Sequence, residues 1–178
     1  MTETKKLLGE DRRNYILSLL KENSRPFTGT ELSKLTNVSR QIIVGDITLL
    51  KAKNEPILAT SQGYLYIQDS KPSIYEKVIA CIHTPEKTEE ELTILVDHGV
   101  TVKDVKIEHP VYGDLTASIL VSSRSEVKQF MKKVNSTKAS YLLELTSGIH
   151  LHTISAPTRE ALLEAEEALR KADFLIED

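Results

Sequence analysis

Only one cysteine, Cys81, occurs in the chain, so no internal disulfide can form and a reducing compartment is expected. Tryptophan is absent. Glycine and proline number 7 and 6, too few for a fibrous or low-complexity chain. No apolar run approaches the roughly 20 residues that a membrane helix needs. The opening Met1-Thr2-Glu3-Thr4-Lys5-Lys6 leads into no apolar stretch, so no secretory leader is expected. Together these absences point to a cytoplasmic protein with no membrane partner. Also missing are a Gly-rich phosphate loop, a His-Glu-x-x-His, a Gly-x-Ser-x-Gly and a cysteine paired with a base, so the chain is not expected to be an enzyme.

What remains is a globular composition of 178 residues, 40% apolar and 28% charged. The net charge of −3 is unevenly spread. Residues 1–70 carry 10 Lys/Arg against 8 Asp/Glu, and residues 71–178 carry 13 against 18. That asymmetry is a mild pointer to a polyanionic partner for the N-terminal part.

In residues 1–70, Asp11 can cap a helix that runs to about residue 22, with Ile16, Leu19 and Leu20 on one face. Thr28 or Thr30 opens a second, short helix. Thr36-Asn37-Val38 reads as a tight turn, and Ser39 caps a third helix that runs to about residue 53. Two strand-like runs, 57–60 and 64–67, are joined through Ser61-Gln62-Gly63 as a hairpin. Three helices and a hairpin make a winged helix-turn-helix. On the third helix, Ile43, Ile47 and Leu50 form the stripe expected to be buried. Gln41, Gly45, Thr48 and Ala52 face away, flanked by Val44 and Lys51. Gly45 lets the backbone come close to a groove wall at about 1 kcal/mol of helix propensity. Gln41 suits an adenine edge, and Arg40 suits a guanine edge or a phosphate. Ser39 and the helix start suit a phosphate. Lys51, Ser61 and Gln62 are further backbone contacts, and Thr28 at the second helix start joins the same DNA-binding set. With Val44 the single apolar anchor on that face, a protein-docking role is the weaker reading.

Gln68-Asp69-Ser70-Lys71-Pro72-Ser73 reads as a linker, which sets the domains at 1–70 and 71–178. The second domain reads strand (75–83), helix (89–98, capped by Thr88 and closed by Gly99), strand (100–108), strand (115–122), helix (125–134), a hairpin over 140–154, and a helix (159–172) capped by Thr158. The whole chain is therefore α+β: a winged helix-turn-helix followed by a two-layer α/β domain.

All five histidines fall in this second part: His83, His98, His109, His150 and His152. His98 reads as a helix C-terminal residue. His150 and His152, at i and i+2 in a strand, share a face. A three-residue loop Thr146-Ser147-Gly148 sets Leu143 against Leu151 and Leu145 against Ile149 on an apolar face, with Glu144 beside His150 on the polar one. Two histidines on one strand face are half of a metal site. His83 can supply a third nitrogen, and the run Glu89-Glu90-Glu91 an oxygen. Otherwise the pair is a solvated one, and the acidic run serves the helix dipole.

Ser39-Arg40-Gln41 with Asp46-Ile47 and Leu49-Leu50-Lys51, then Ala59-Thr60-Ser61-Gln62-Gly63-Tyr64, resemble the helix-turn-helix of the niacin-responsive transcriptional repressor family (NiaR). Cys81-Ile82-His83-Thr84, His109-Pro110-Val111-Tyr112-Gly113 and the run 145–154 resemble that family's three-histidine regulatory domain. The resemblance covers nearly the whole chain. It implies a homodimeric repressor of genes for NAD synthesis and niacin uptake, with nicotinic acid as co-repressor and double-stranded operator DNA as partner. It implies a regulatory fold similar to the phosphocarrier protein HPr. It also implies a divalent transition metal, nickel or zinc, held by His83, Glu91, His150 and His152. Tyr112 and Arg124 are the polar groups expected to hold the effector. Two rival readings use the same residues: a DNA-binding sensor of the metal itself, and a winged helix fused to a metalloenzyme.

Overall fold

The computed structural model describes residues 8–67 and 74–177. The chain divides into two compact units, Met1–Ser70 and Lys71–Asp178. The expected linker over 68–73 and the opening residues 1–6 lie outside the described residues.

The first unit holds α1 (Gly9–Glu22), α2 (Gly29–Thr36), α3 (Arg40–Ala52) and a hairpin of β1 (Ile57–Thr60) with β2 (Gly63–Tyr66). α1 begins before Asp11. Leu8 occupies its N-cap with no side-chain bond, and Asp11 stands with Glu10 in the first turn, where negative charge suits the helix dipole. Of the two threonines at α2, Thr28 is the cap, in a reciprocal capping box with Glu31. Asn37, at φ 52°, closes that helix in the left-handed conformation. Ser39 caps α3.

Ile16, Leu20, Phe27, Leu32, Ile43, Ile47, Leu50 and Ile57 form the core of this unit. The hairpin is tied to it through the bridge between Phe27 and Tyr64. Gly63, at φ 131°, is required there, because a Cβ would overlap the Phe27 backbone. Beside the apolar stripe of α3, Asp46 is buried and accepts from the Arg12 guanidinium at 2.6 and 3.2 Å. The surface of α3 is more apolar than the helical wheel implies. Ile42 and Leu49 are 38% and 50% exposed, so Val44 is not its single apolar group.

The second unit is a four-stranded antiparallel sheet with helices on one face. Its strands are β3 (Tyr75–Ile82), β4 (Thr101–His109), β5 (Gly113–Val121) and β6 (Ile149–Ala156), in the order β3-β6-β4-β5. Its helices are α4 (Thr88–Asp97), α5 (Arg124–Thr137) and α6 (Arg159–Lys171). Leu92, Leu95, Val127, Leu162 and Leu169 from the helices meet Ile79, Val102, Ile119, Val121 and Ile154 from the strands. The outer edge of β3 is covered by the C-terminal segment, where Ile82 N–H donates to the Phe174 carbonyl and Ile176 N–H to that of Ala80.

Two expectations fail here. The stretch Leu142–Thr146 is a 3-10 helix, so no hairpin spans 140–154. β6 finds its partners far away in sequence instead, seated between β3 and β4. The faces of β6 are also reversed. His150, His152, Ile154 and Ala156 turn toward the helices, while Ile149 and Leu151 lie exposed on the other face. α4 covers the histidine side, so those imidazoles are the buried ones.

Replacing Asp46 with Ala leaves the Arg12 charge buried without its main partner. Urea unfolding followed by circular dichroism is expected to show a loss of about 3–5 kcal/mol in the transition of the N-terminal unit.

Candidate metal centre

β3 and β6 run antiparallel with Cys81 opposite His150 and Ile82 opposite Ile149. This register carries His83, just past the end of β3, to Gly148, whose carbonyl accepts from the His83 N–H at 3.3 Å. His83, His150 and His152 thus lie on one face of the sheet by alternation. Their rings pack edge to face, with centroids 4.8 Å apart for His83–His150 and for His150–His152.

α4 brings the fourth group. Of the three adjacent acidic residues, Glu89 and Glu90 are exposed, and Glu91 is fully buried against the sheet. The Nε2 atoms of all three histidines converge on its carboxylate. His83 Nε2 lies 2.8 Å and His152 Nε2 3.2 Å from Oε2, and His150 Nε2 lies 3.3 Å from Oε1.

The opposite ring nitrogens settle the chemistry. His83 Nδ1 faces the Thr84 carbonyl at 2.8 Å, His150 Nδ1 that of Gly148 at 2.9 Å, and His152 Nδ1 that of Asp104 at 2.6 Å. A carbonyl oxygen only accepts, so each Nδ1 carries the proton. In the neutral ring each Nε2 is then a bare lone pair, and all three point at a carboxylate. Acceptors facing acceptors at these distances repel unless a positive species stands between them, either protons or a metal cation. The local electrostatics answer this geometry. Burial alone would raise the Glu91 carboxyl. With protons on the facing nitrogens, the charge of His152 and hydrogen bonds from His150, His152 and His83 hold it well below the carboxylate range instead. Burial opposes protonation of His83 and His152, yet Glu91 raises both. Three imidazoles with their outer N–H groups on backbone carbonyls, plus one carboxylate, are a donor set that fits a divalent transition metal.

Two local devices hold the rings. β4 carries a bulge between Val102 and Asp104, where Thr153 N–H donates to the Asp104 side chain and leaves the Asp104 carbonyl to His152. Gly148, at φ 95°, passes so close to His83 that a Cβ would overlap the His83 carbonyl.

Two further groups border the cluster that the sequence did not place there. The Cys81 thiol lies within 4.8 Å of both Glu91 and a ring nitrogen of His150. Burial, then the Glu91 charge, push this thiol far above its usual range. The three imidazoles, with lone pairs aimed inward, are the better ligand set. Thr88 does not cap α4 as its sequence position suggests: the 3-10 turn Pro85–Lys87 leads into that helix, and Lys87 is its N-cap. The Thr88 side chain instead turns inward, one turn before Glu91. A cavity of about 220 Å³ opens off the cluster beside it, bounded by Glu91, His150 and His152 and walled by α4, α5 and the 3-10 helix Leu142–Thr146.

The remaining expected residues lie elsewhere. Tyr112 is 74% exposed, in the β4–β5 turn, stacked on His109. Arg124, at the start of α5, is paired with Asp97. Neither lines the cavity. His109 accepts from the Val111 and Tyr112 backbone, and His98 caps α4 with its ring on the Ile94 carbonyl. In the first unit, Ser39, Arg40, Gln41, Gly45, Thr48 and Lys51 are exposed along α3, and Ser61 and Gln62 are half-buried in the hairpin turn, bonded to each other. The Thr28 hydroxyl is engaged in capping α2.

A helix-turn-helix unit joined to a sheet domain with a buried histidine–carboxylate cluster defines a class of DNA-binding regulators. An HTH domain family matches residues 12–65, and a family described as the 3H domain matches residues 76–178. The chain is 58% identical to the transcription repressor NadR of Bacillus subtilis, with both chains covered in full. It is 38% identical to the probable transcription repressor NiaR of Thermotoga maritima, over 97% of this chain and 98% of the relative. The chain belongs to this family of transcription repressors, and its relatives mark it as a regulator rather than an enzyme. No helix among the described residues is long and apolar enough to cross a membrane.

Gly148→Ala forces a Cβ into the His83 carbonyl at a positive φ. Thermal unfolding of the second unit is expected to show a loss of at least about 1–3 kcal/mol, as for a strained backbone.

Proposed function

We propose that this repressor acts on genes for NAD synthesis and niacin uptake, with nicotinic acid as its co-repressor at or beside a metal. The observation that supports this most is the convergence of three imidazole lone pairs on one buried carboxylate in a chain 58% identical to a repressor named NadR. In this reading residues 1–70 bind DNA and residues 71–178 are the regulatory domain. His83, Glu91, His150 and His152 hold a divalent transition metal, nickel or zinc. When bound, that ion supplies a Lewis-acid position for the carboxylate or ring nitrogen of a small pyridine acid. The chain supplies the rest: it aims the lone pairs and fixes the tautomers.

On the DNA side, α3 enters the major groove. Gln41 reads an adenine edge, and Arg40 reads guanine or phosphate. Gly45 and Thr48 allow close approach. Ser39 at the α3 start, Thr28 at the α2 start, Lys51, Ser61 and Gln62 hold the backbone. A homodimer places two such helices on half-sites one helical turn, or a multiple of it, apart in cytoplasmic operator DNA. Effector binding favours the dimer arrangement that matches the operator. It can change DNA affinity only by its own preference between arrangements, typically about 1–3 kcal/mol.

Titrating an operator fragment with nicotinate at fixed metal, then with metal at fixed nicotinate, tests this reading. Nicotinate is expected to tighten DNA binding about 5- to 150-fold. A response to metal without nicotinate contradicts the reading and favours a metal sensor. Gln41→Ala is expected to weaken operator binding by about 1–3 kcal/mol and to spare non-specific binding, measured by fluorescence anisotropy on specific and scrambled duplexes.

A further inference from the structure

The outer side of α3 holds two residues that base and phosphate contacts by polar groups leave unused. Ile42 and Leu49 stand two turns apart on one face and are both exposed, while Ile43, Ile47 and Leu50 fill the core. Single exposed apolar side chains are ordinary on a protein surface, but these two border a notch. Gly45 lies between them, and a Cβ built on it would meet nothing within 4 Å. Neither internal packing nor the helical backbone calls for glycine at this position, and glycine weakens a helix. The room left by the missing side chain therefore serves something outside the protein.

The borders of the notch say what fits it. By helical spacing, Gln41 and Thr48 flank Gly45 on one side, and Ile42 and Leu49 on the other. Thr48 donates its hydroxyl proton to the Val44 carbonyl at 2.8 Å, which leaves Gln41 as the amide that can face a base. The notch thus has a hydrogen-bonding side and an apolar side. Cations frame it. The one acid of α3, Asp46, is buried and covered by Arg12 at 2.6 Å and Arg13 at 3.5 Å. On the flank toward α2, the Arg40 side chain lies against Gly29. Apolar groups between arginines, with no exposed acid on the helix, suit a polyanion that carries methyl groups at its centre. The major groove of DNA is such a surface. Thymine alone displays a methyl group there, and its partner adenine displays the N6/N7 edge that suits Gln41.

Resting on the reading that α3 enters the major groove, we infer that Ile42 is a specificity-determining residue, packing on the 5-methyl group of a thymine beside the adenine edge that Gln41 reads. Gly45 is the gap that lets the methyl-bearing base edge in. Such helices read base edges with their N-terminal residues. Ile42 lies in the first turn of α3 and is the reader. Leu49, about 10 Å further along the axis, lies toward the end that leaves the groove.

Removing the methyl group from the DNA tests this without disturbing the protein. The probe is a duplex selected from a random pool by the full-length, zinc-loaded protein with nicotinate present, and binding is followed by fluorescence anisotropy. Each thymine is then replaced singly by deoxyuridine, which keeps the base pairing and the charge and deletes only the methyl. One such position in each half-site is expected to weaken wild-type binding about 3- to 10-fold, as for the loss of one buried methyl contact. Ile42→Ala is expected to lose a similar factor on the parent duplex and to bind the parent and that deoxyuridine duplex equally. Ile42→Val is expected to keep part of the thymine preference. Binding of Ile42→Ala to a scrambled duplex is expected to match wild type. Deoxyuridine duplexes that all bind as the parent does, or an Ile42→Ala variant that still prefers thymine at that position, overturn the inference, and if Gln41→Ala still weakens the parent duplex the reading of α3 stands. An Ile42→Ala variant that sediments differently from wild type and keeps the thymine preference assigns this face to protein docking and also overturns it. A selection that enriches no duplex, or a selected duplex indifferent to both Gln41→Ala and Ile42→Ala, overturns the placement of α3 in the groove itself.

Discussion

Three ring nitrogens, bare lone pairs when the rings are neutral, face one buried carboxylate, and the second unit is built around making that tolerable. Each imidazole spends its only proton on a backbone carbonyl, at Thr84, Gly148 and Asp104. The orientation is thereby fixed from outside the cluster, as in metal sites where the outer nitrogen sets the tautomer. A buried carboxylate costs several kcal/mol when left alone. Glu91 persists there because positive charge is drawn to it from three sides. A compact cation satisfies all four groups at once, whereas protons must be shared among rings that repel one another when charged.

The fold brings these groups together through long-range pairing. β6 sits in the middle of the sheet, so His150 and His152 have strands on both sides and α4 above. The β3–β6 register places His83 against Gly148, and the bulge in β4 frees the Asp104 carbonyl. The cavity opens at this point, where the polar cluster meets the apolar walls between α4 and α5. A ligand seated there touches the cluster and two helices together. That gives it a physical route to bias the packing of the unit, which any effect on a DNA-reading head requires.

Much of the first unit was legible locally. Ser39 and Thr28 are caps, which act within three residues, and the stripe of Ile43, Ile47 and Leu50 follows from helical periodicity alone. The pairing of Arg12 with Asp46 was not visible, because it joins residues 34 apart. In the second unit, alternation put His150 and His152 on one face, but local pattern could not say which face is buried. The apolar character of Ile149 and Leu151 suggests that theirs is the buried face, and a helix carrying Glu91 over the histidines reverses it. The hairpin over 140–154 failed for the same reason: the partners of β6 lie near residues 80 and 105, beyond any local window. Thr88, Glu91, Leu92 and Leu95 fall on one helix face, and that spacing was a usable pointer to both inward polar groups. Tyr112 and Arg124 offer polarity alone, and polarity without placement does not lead to the cavity.

X-ray absorption at the metal edge of the purified full-length protein examines the central claim most directly. Nitrogen and oxygen scatterers at about 2.0–2.2 Å, with outer-shell features of three imidazole rings, are predicted for a zinc-loaded sample. A sulfur scatterer at about 2.3 Å, or a spectrum without imidazole features, would contradict the account, the first by placing Cys81 on the ion and the second by moving the ion away from the histidines.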